Sequence, residues 1–190
     1  MINLVLFGPP GAGKGTQAIY LAQTFNLVHL STGDLLRQEI AAQTSLGRIA
    51  DGIISKGELV PDSIVISMIE AKLKTPKTTV GFIFDGFPRT VPQAKALDEL
   101  LQKHGSKVSV MLCLEVEKEE LICRLLKRGL TSGRCDDADA ATIENRINIY
   151  NEKTAPLINY YESQGKYHPI IGIGDIEEIA SRLKETVEKL

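Results

Sequence analysis

The chain has 190 residues, 43% of them apolar, enough for one domain with a sizeable core, or for one core carrying mobile insertions. Basic and acidic residues nearly cancel to a formal net charge of −2. That excludes the basic excess of a nucleic-acid binder, so any functional arginines act by position and not by number. The opening apolar stretch has no basic lead and is too short for a signal peptide or a membrane span, which predicts a cytoplasmic protein with no membrane attachment. Cys113, Cys123 and Cys135 are odd in number, widely spaced and form no C-x-x-C pair, which argues against a disulfide framework or a zinc site.

A strand is predicted over 2–7, and it breaks into Gly8-Pro9-Pro10-Gly11-Ala12-Gly13-Lys14-Gly15-Thr16, with four glycines in nine residues, before a helix over 14–25. Such a loop brings backbone N–H groups onto phosphate oxygens, and the helix behind it adds the positive end of its dipole. Lys14 is placed to reach the outer phosphates. One position departs from the general pattern G-x-x-x-x-G-K-S/T: Gly15 stands where a hydroxyl residue is expected and Thr16 follows one place later. Direct hydroxyl coordination of a metal is therefore not assumed.

A second strand over 28–31 runs into His29-Leu30-Ser31-Thr32-Gly33-Asp34-Leu35-Leu36-Arg37, which reads as a helix start (34–42) with Ser31 or Thr32 as cap. Two further helices, 46–55 and 62–73, precede the third strand, and residues 32–60 form a helical excursion ended by Gly57 and Pro61. The third strand, 81–84, delivers Asp85, which beside a phosphate loop typically holds magnesium directly or through its water shell. Arg89, four residues on, is the residue type that grips a phosphate with two parallel hydrogen bonds.

A helix over 93–104, a strand over 108–115 with Cys113 as a small buried hydrophobe, and a helix over 118–127 follow. The stretch 129–138 is polar, holds two glycines and has no core pattern, as expected of a lid. Arg124, Arg128, Arg134 and Arg146 fall within 23 residues. They form either a solvated face with salt bridges such as Arg134–Asp136, or a cluster converging on a phosphoryl group. A long helix over 139–164, bent near Pro156, a strand over 167–173 and a helix over 176–190 complete the chain. The alternation predicts a doubly wound α/β domain with a five-stranded parallel sheet, the two irregular segments lying at the carboxyl ends of strands, where such sheets bind ligands.

The unit Gly-x-Pro-Gly-x-Gly-Lys-Gly-Thr-Gln, the run Asp85-Gly86-Phe87-Pro88-Arg89 and the segment from Ser31 to Arg37 together resemble the nucleoside monophosphate kinases, and within them the adenylate kinases. The resemblance covers essentially the whole chain. It implies a P-loop NTPase fold in the strand order 2-3-1-4-5 and reversible transfer of the γ-phosphoryl of MgATP to AMP, giving two ADP. It implies that Gly11, Ala12, Gly13, Lys14, Gly15, Thr16, Arg124, Arg128 and Gly174 bind ATP. It places Thr32, Arg37, Glu58, Leu59, Val60, Gly86, Phe87, Pro88, Arg89 and Gln93 around AMP, with Arg134 and Arg146 on the transferring phosphate or AMP. The catalytic set is then Lys14, Arg89, Arg128, Arg134 and Arg146, and Asp85 and Asp137 are candidates for the water shell of Mg2+.

Thr32 and Gln93 are of the adenylate kinase type, where UMP/CMP kinases commonly carry Ala and Asn. A glutamine amide donates to N1 of adenine and accepts from its amino group. The resemblance implies a core of 1–31, 61–128 and 139–190, an AMP-binding insertion over 32–60 and a short lid over 129–138, without the zinc of long-lid relatives. ATP, AMP and ADP are then the only partners of a monomer that binds neither nucleic acid nor membrane. The rival readings are a UMP/CMP-type kinase and a nucleotide-binding regulator without transfer activity; the complete set of Lys14, Arg37, Asp85, Arg89, Arg128 and Arg134 weighs against the latter.

Overall fold

The computed structural model describes residues 1–74, 80–132, 134–137 and 139–190. Five parallel strands, β1 (Ile2–Phe7), β2 (Val28–Ser31), β3 (Gly81–Asp85), β4 (Val110–Glu115) and β5 (Tyr167–Ile171), lie side by side in the order β2-β3-β1-β4-β5. β1 reads as a continuous apolar run because the sheet is covered on both faces. Leu4 and Leu6 enter one core with Ile83, Leu112, Leu21 of α1 (Lys14–Phe25) and Leu183 of α9 (Ile176–Glu188). Val5 and Phe7 alternate into the other. There they meet Phe84, Ile69 of α4 (Asp62–Leu73), Leu97 of α5 (Val91–Lys103) and Tyr161 of α8 (Leu157–Glu162).

The register sets up the functional edge. Leu6 and Ser31 both stand opposite Asp85, so the chain leaves β1, β2 and β3 at one level, delivering Gly8, Thr32 and Gly86 to the same rim. Two helices, α2 (Thr32–Ala41) and α3 (Ser45–Ile54), pack together beyond that rim. Ser31 is the cap of α2, accepting from Asp34 N at 3.2 Å. Thr32 is thereby released from capping. Its Oγ1 donates instead to Gly86 O at 2.8 Å and pins the start of α2 to the turn after β3.

Two expectations need correction. Gly129 is no loop residue: α6 (Lys118–Ser132) continues straight through it. A Cβ added at Gly129 would stand 2.3 Å from Asp137 O, so the glycine is there to let the 3-10 turn Cys135–Asp137 lie against the helix. Gly133 and Ala138 of the expected lid lie outside the described residues. The long helix also divides differently, into α7 (Ala140–Ile149), a π-helical turn Tyr150–Thr154 and α8. Pro156 has no N–H and its ring crowds the preceding turn, and the wider π turn, closed by Ala155 N to Tyr150 O at 2.8 Å, absorbs the break just before it.

Candidate active site

The loop after β1 turns through Gly8, Gly11 and Gly13, at φ 141°, 86° and 88°, a region side chains rarely enter. Gly13 also caps α1 with no side chain, so the N–H groups of the first turn face the cleft. Lys14 Nζ donates back to Gly8 O at 2.7 Å and Pro9 O at 2.9 Å. Burial pushes the Lys14 ammonium down to about 8; Asp85 opposes this, and Arg89, Arg146 and Arg128 reinforce it. A Cβ at Gly15 would come within 3.7 Å of Asp85 Oδ2, so position 15 is the one that faces this carboxylate. On its other side, Asp85 Oδ2 lies 3.5 Å from His29 Nε2.

Around Lys14 a cleft of about 600 Å³ opens at the carboxyl edge of the sheet. Arg37, Arg89, Arg128, Arg134 and Arg146 all line it, brought there by α2, the turn after β3, α6, the residue just before the 3-10 turn and α7. Each is held differently. Arg37 pairs with Asp34 at 2.5 Å. Partial burial pushes the Asp34 carboxyl up, but the hydrogen bonds from Arg37 and Ser31 together outweigh it and hold the group below its ordinary value. Arg89 Nε donates to Gly86 O at 2.9 Å.

Arg128 makes a two-bond contact with Asp137, at 2.6 and 3.0 Å. Arg146 reaches Asp136 Oδ2 at 2.9 Å and also pairs with Asp137. Arg134 has no ion pair among the described residues. The Arg134–Asp136 bridge of the solvated-face alternative does not form among the described residues; Arg146 takes Asp136 instead. Burial, then the neighbouring arginines, lowers the proton affinity of Arg89 and Arg134. Crowded cations in a partly dry cleft bind a polyanion more strongly than the same groups in water.

Most of the residues expected at the site meet here. Gly11, Gly13, Lys14, Gly15, Thr16, Thr32, Glu58, Leu59, Val60, Asp85, Gly86 and Gln93 share the cleft with the five arginines. The rest stand apart. Ala12 and Phe87 are core residues, each 1% exposed, and Pro88 lines a smaller cavity behind the loop. Arg124 braces Glu120 at 2.7 Å and Gly172 O at 3.2 Å, away from the cleft. Gly174 also lies off it, at φ 119° and tight against Glu178. Asp137 is corrected too: its side chain is 0% exposed and clamps two arginines, and of these two neighbouring aspartates it is Asp136 that lines the cleft.

Sequence reasoning missed Asp62 and Thr90. Gln93 is 2% exposed, and its amide is already engaged: Nε2 donates to Asp62 Oδ1 at 2.7 Å and Oε1 accepts from Arg89 N at 2.8 Å. Thr90, the cap of α5, donates from Oγ1 to Asp62 Oδ2 at 2.8 Å. In the sequence Asp62 is an ordinary first-turn acid after a proline, with nothing to tie it to a residue 31 positions away.

A parallel sheet in this order with a glycine-rich phosphate loop on its central strand defines a P-loop NTPase fold. The sequence comparisons narrow the class. The family profile described as adenylate kinase matches residues 6–166. Over the full length of both chains the protein is similar to the adenylate kinases of Flavobacterium psychrophilum (51% identity), Parabacteroides distasonis (52%) and Phocaeicola vulgatus (48%). The chain belongs to the adenylate kinase family. No helix among the described residues is long and apolar enough to cross a membrane.

Proposed function

We propose that the cleft binds ATP and AMP together and passes the γ-phosphoryl group between them, giving two ADP, in a reversible reaction. The observation that carries this reading is the convergence of Lys14 and five arginines from separate segments on one cleft. In this reading the loop backbone from Gly11 to Thr16, Lys14 and Arg128 hold the ATP phosphates. Arg37 and Arg89 hold the AMP phosphate, and Arg134 and Arg146 close on the group in flight. Residues 32–60 then form the acceptor insertion, and the segment carrying Arg134 and the 3-10 turn closes over the phosphates, in a monomer acting in the cytoplasm.

The attacking oxygen belongs to a phosphate monoester whose second pKa is about 6, so it is already ionised near neutral pH and needs no general base. Catalysis rests on placing the two phosphates in line and neutralising their charge. Asp85 fits a magnesium ion held through water: its carboxylate ends β3 inside the cleft and faces the side-chain-free position of Gly15. With ATP bound, the ion supplies further positive charge to the phosphates. Arg134, unpaired among the described residues, is the arginine most available to meet new charge.

Gln93, together with the apolar wall of Leu59, Val60 and Val65, fits the adenine of AMP. Gln93→Ala is expected to raise KM for AMP about tenfold or more, while KM for ATP moves less than threefold. Equal effects on both substrates in steady-state assays would show a packing role and remove Gln93 from the acceptor site.

Lys14 adds a pH signature. With its ammonium titrating near 8, nucleotide binding to the free enzyme should hold steady below that value and weaken as pH rises through it, by about tenfold per unit at first. Calorimetric titration of ATP from pH 7 to 9.5 checks this. A flat profile would place the lysine outside the phosphate site.

A further inference from the structure

Gln93 has one feature that its contact with a base does not explain. A buried glutamine amide can ordinarily sit either way round, and each orientation presents a different hydrogen-bonding edge. Here both ends are committed by partners that cannot adapt. A carboxylate only accepts, and Asp62 Oδ1 takes a hydrogen from Nε2 at 2.7 Å. A backbone N–H only donates, and Arg89 N gives its hydrogen to Oε1 at 2.8 Å. Reversing the amide would set oxygen against carboxylate and NH2 against N–H, leaving four groups unmatched in a site where Gln93 is 2% exposed.

Asp62 is itself fixed, because Thr90 Oγ1 donates to its second oxygen at 2.8 Å and accepts from Gln93 N at 3.3 Å. The result is a closed ring through Asp62, Thr90 and Gln93. Asp62 does not line the cleft, so it acts only through the amide it holds.

We propose that Asp62 sets the base specificity of the acceptor site by locking the Gln93 amide in one orientation. The amide keeps one N–H and one lone pair for a ligand. A donor beside an acceptor matches a 6-aminopurine, whose N1 accepts and whose amino group donates. The same edge mismatches a 6-oxopurine, whose N1–H donates and whose O6 accepts. Asp62 is thus a positioning residue that admits AMP and rejects 6-oxopurine monophosphates such as IMP. The inference rests on Gln93 facing the base of AMP, as proposed above.

The test compares Asp62→Asn, Asp62→Ala and Gln93→Leu with wild type, using MgATP with AMP or IMP as acceptor and recording melting curves alongside. In Asp62→Asn, the new Oδ1 keeps the Thr90 hydroxyl and turns its NH2 toward Gln93, which favours the reversed amide. The ratio of kcat/KM for AMP to that for IMP should fall at least about tenfold, with KM for ATP within twofold of wild type. Asp62→Ala should shift the ratio in the same direction but less, because it removes one of the two partners that oppose reversal and leaves the Arg89 N–H in place. An unchanged ratio in both Asp62 variants, with discrimination lost in Gln93→Leu, overturns the lock and leaves the acceptor site standing. An unchanged KM for AMP in Gln93→Leu overturns the site and the lock together. A lower melting temperature with AMP and ATP affected equally shows a purely structural aspartate, and overturns the lock as well.

Discussion

Lys14→Met is expected to lower kcat on the order of 10²–10³-fold and to leave the melting temperature unchanged or higher. The loss follows from removing a charge aimed at the group in flight inside a partly dry cleft, an effect of roughly 2.7–4 kcal/mol in comparable sites. The stability follows from the opposite sign of the same charge when the fold stands alone. The ammonium is held down to about 8 because burial and three arginines outweigh Asp85. The folded state therefore binds this proton less tightly than the unfolded chain does. At neutral pH the charge opposes folding, and methionine relieves it.

The difference between variant and wild type should be largest below pH 8 and should close as pH rises from there toward the ordinary lysine value of 10.5. The sign is fixed: wild type gains stability with pH in that window and the variant does not. Melting curves at pH 7 and 9.5, beside steady-state rates, decide the matter. Unchanged turnover would sink the phosphate-loop assignment, and a large stability loss would sink the account of the lysine.

How far the sequence could be read depended on the range of the interaction. β1 ends where its apolar run meets Gly8, and β2 ends where Ser31 caps the next helix, both signals readable in the chain itself. The three motif segments that meet at the cleft were legible for the same reason, each being a contiguous run whose chemistry is local. Gly129 misled because intrinsic propensity marks glycine as a helix breaker, at about 1 kcal/mol, whereas a close approach of the Asp137 backbone demands glycine there and the helix survives. Asp62 was invisible because its meaning depends on Gln93 and Thr90, which reach it only once α4 and α5 pack together. The direction of each arginine was hidden likewise: four in 23 residues suggest a cluster, but nothing local distinguishes Arg124, turned toward Gly172 O, from Arg128, turned into the cleft.

Asp137→Ala should produce the largest loss of stability of any change around the cleft, about 3 kcal/mol. Its carboxylate is 0% exposed, makes two bonds to Arg128 and pairs with Arg146. Cutting one partner from a buried ion pair costs about 3–5 kcal/mol, since the remaining charges lose their compensation. The lower end applies here, because the Arg128 side chain is 34% exposed and water screens part of its charge. For a chain of this size that corresponds to a fall of roughly 6–12 °C in Tm.

Activity should fall with it, on the order of 10–100-fold in kcat, because two guanidinium groups lose the brace that aims them. Asp136→Asn is the control. Asp136 also pairs with Arg146, but Asp137 still holds that arginine when Asp136 is neutralised, so both effects should be much smaller. If Asp137→Ala keeps its Tm within about 2 °C and its kcat within twofold, the clamp does not position the arginines. If Tm falls while kcat holds, the clamp serves the fold alone, and the arginines find their aim from the nucleotide itself.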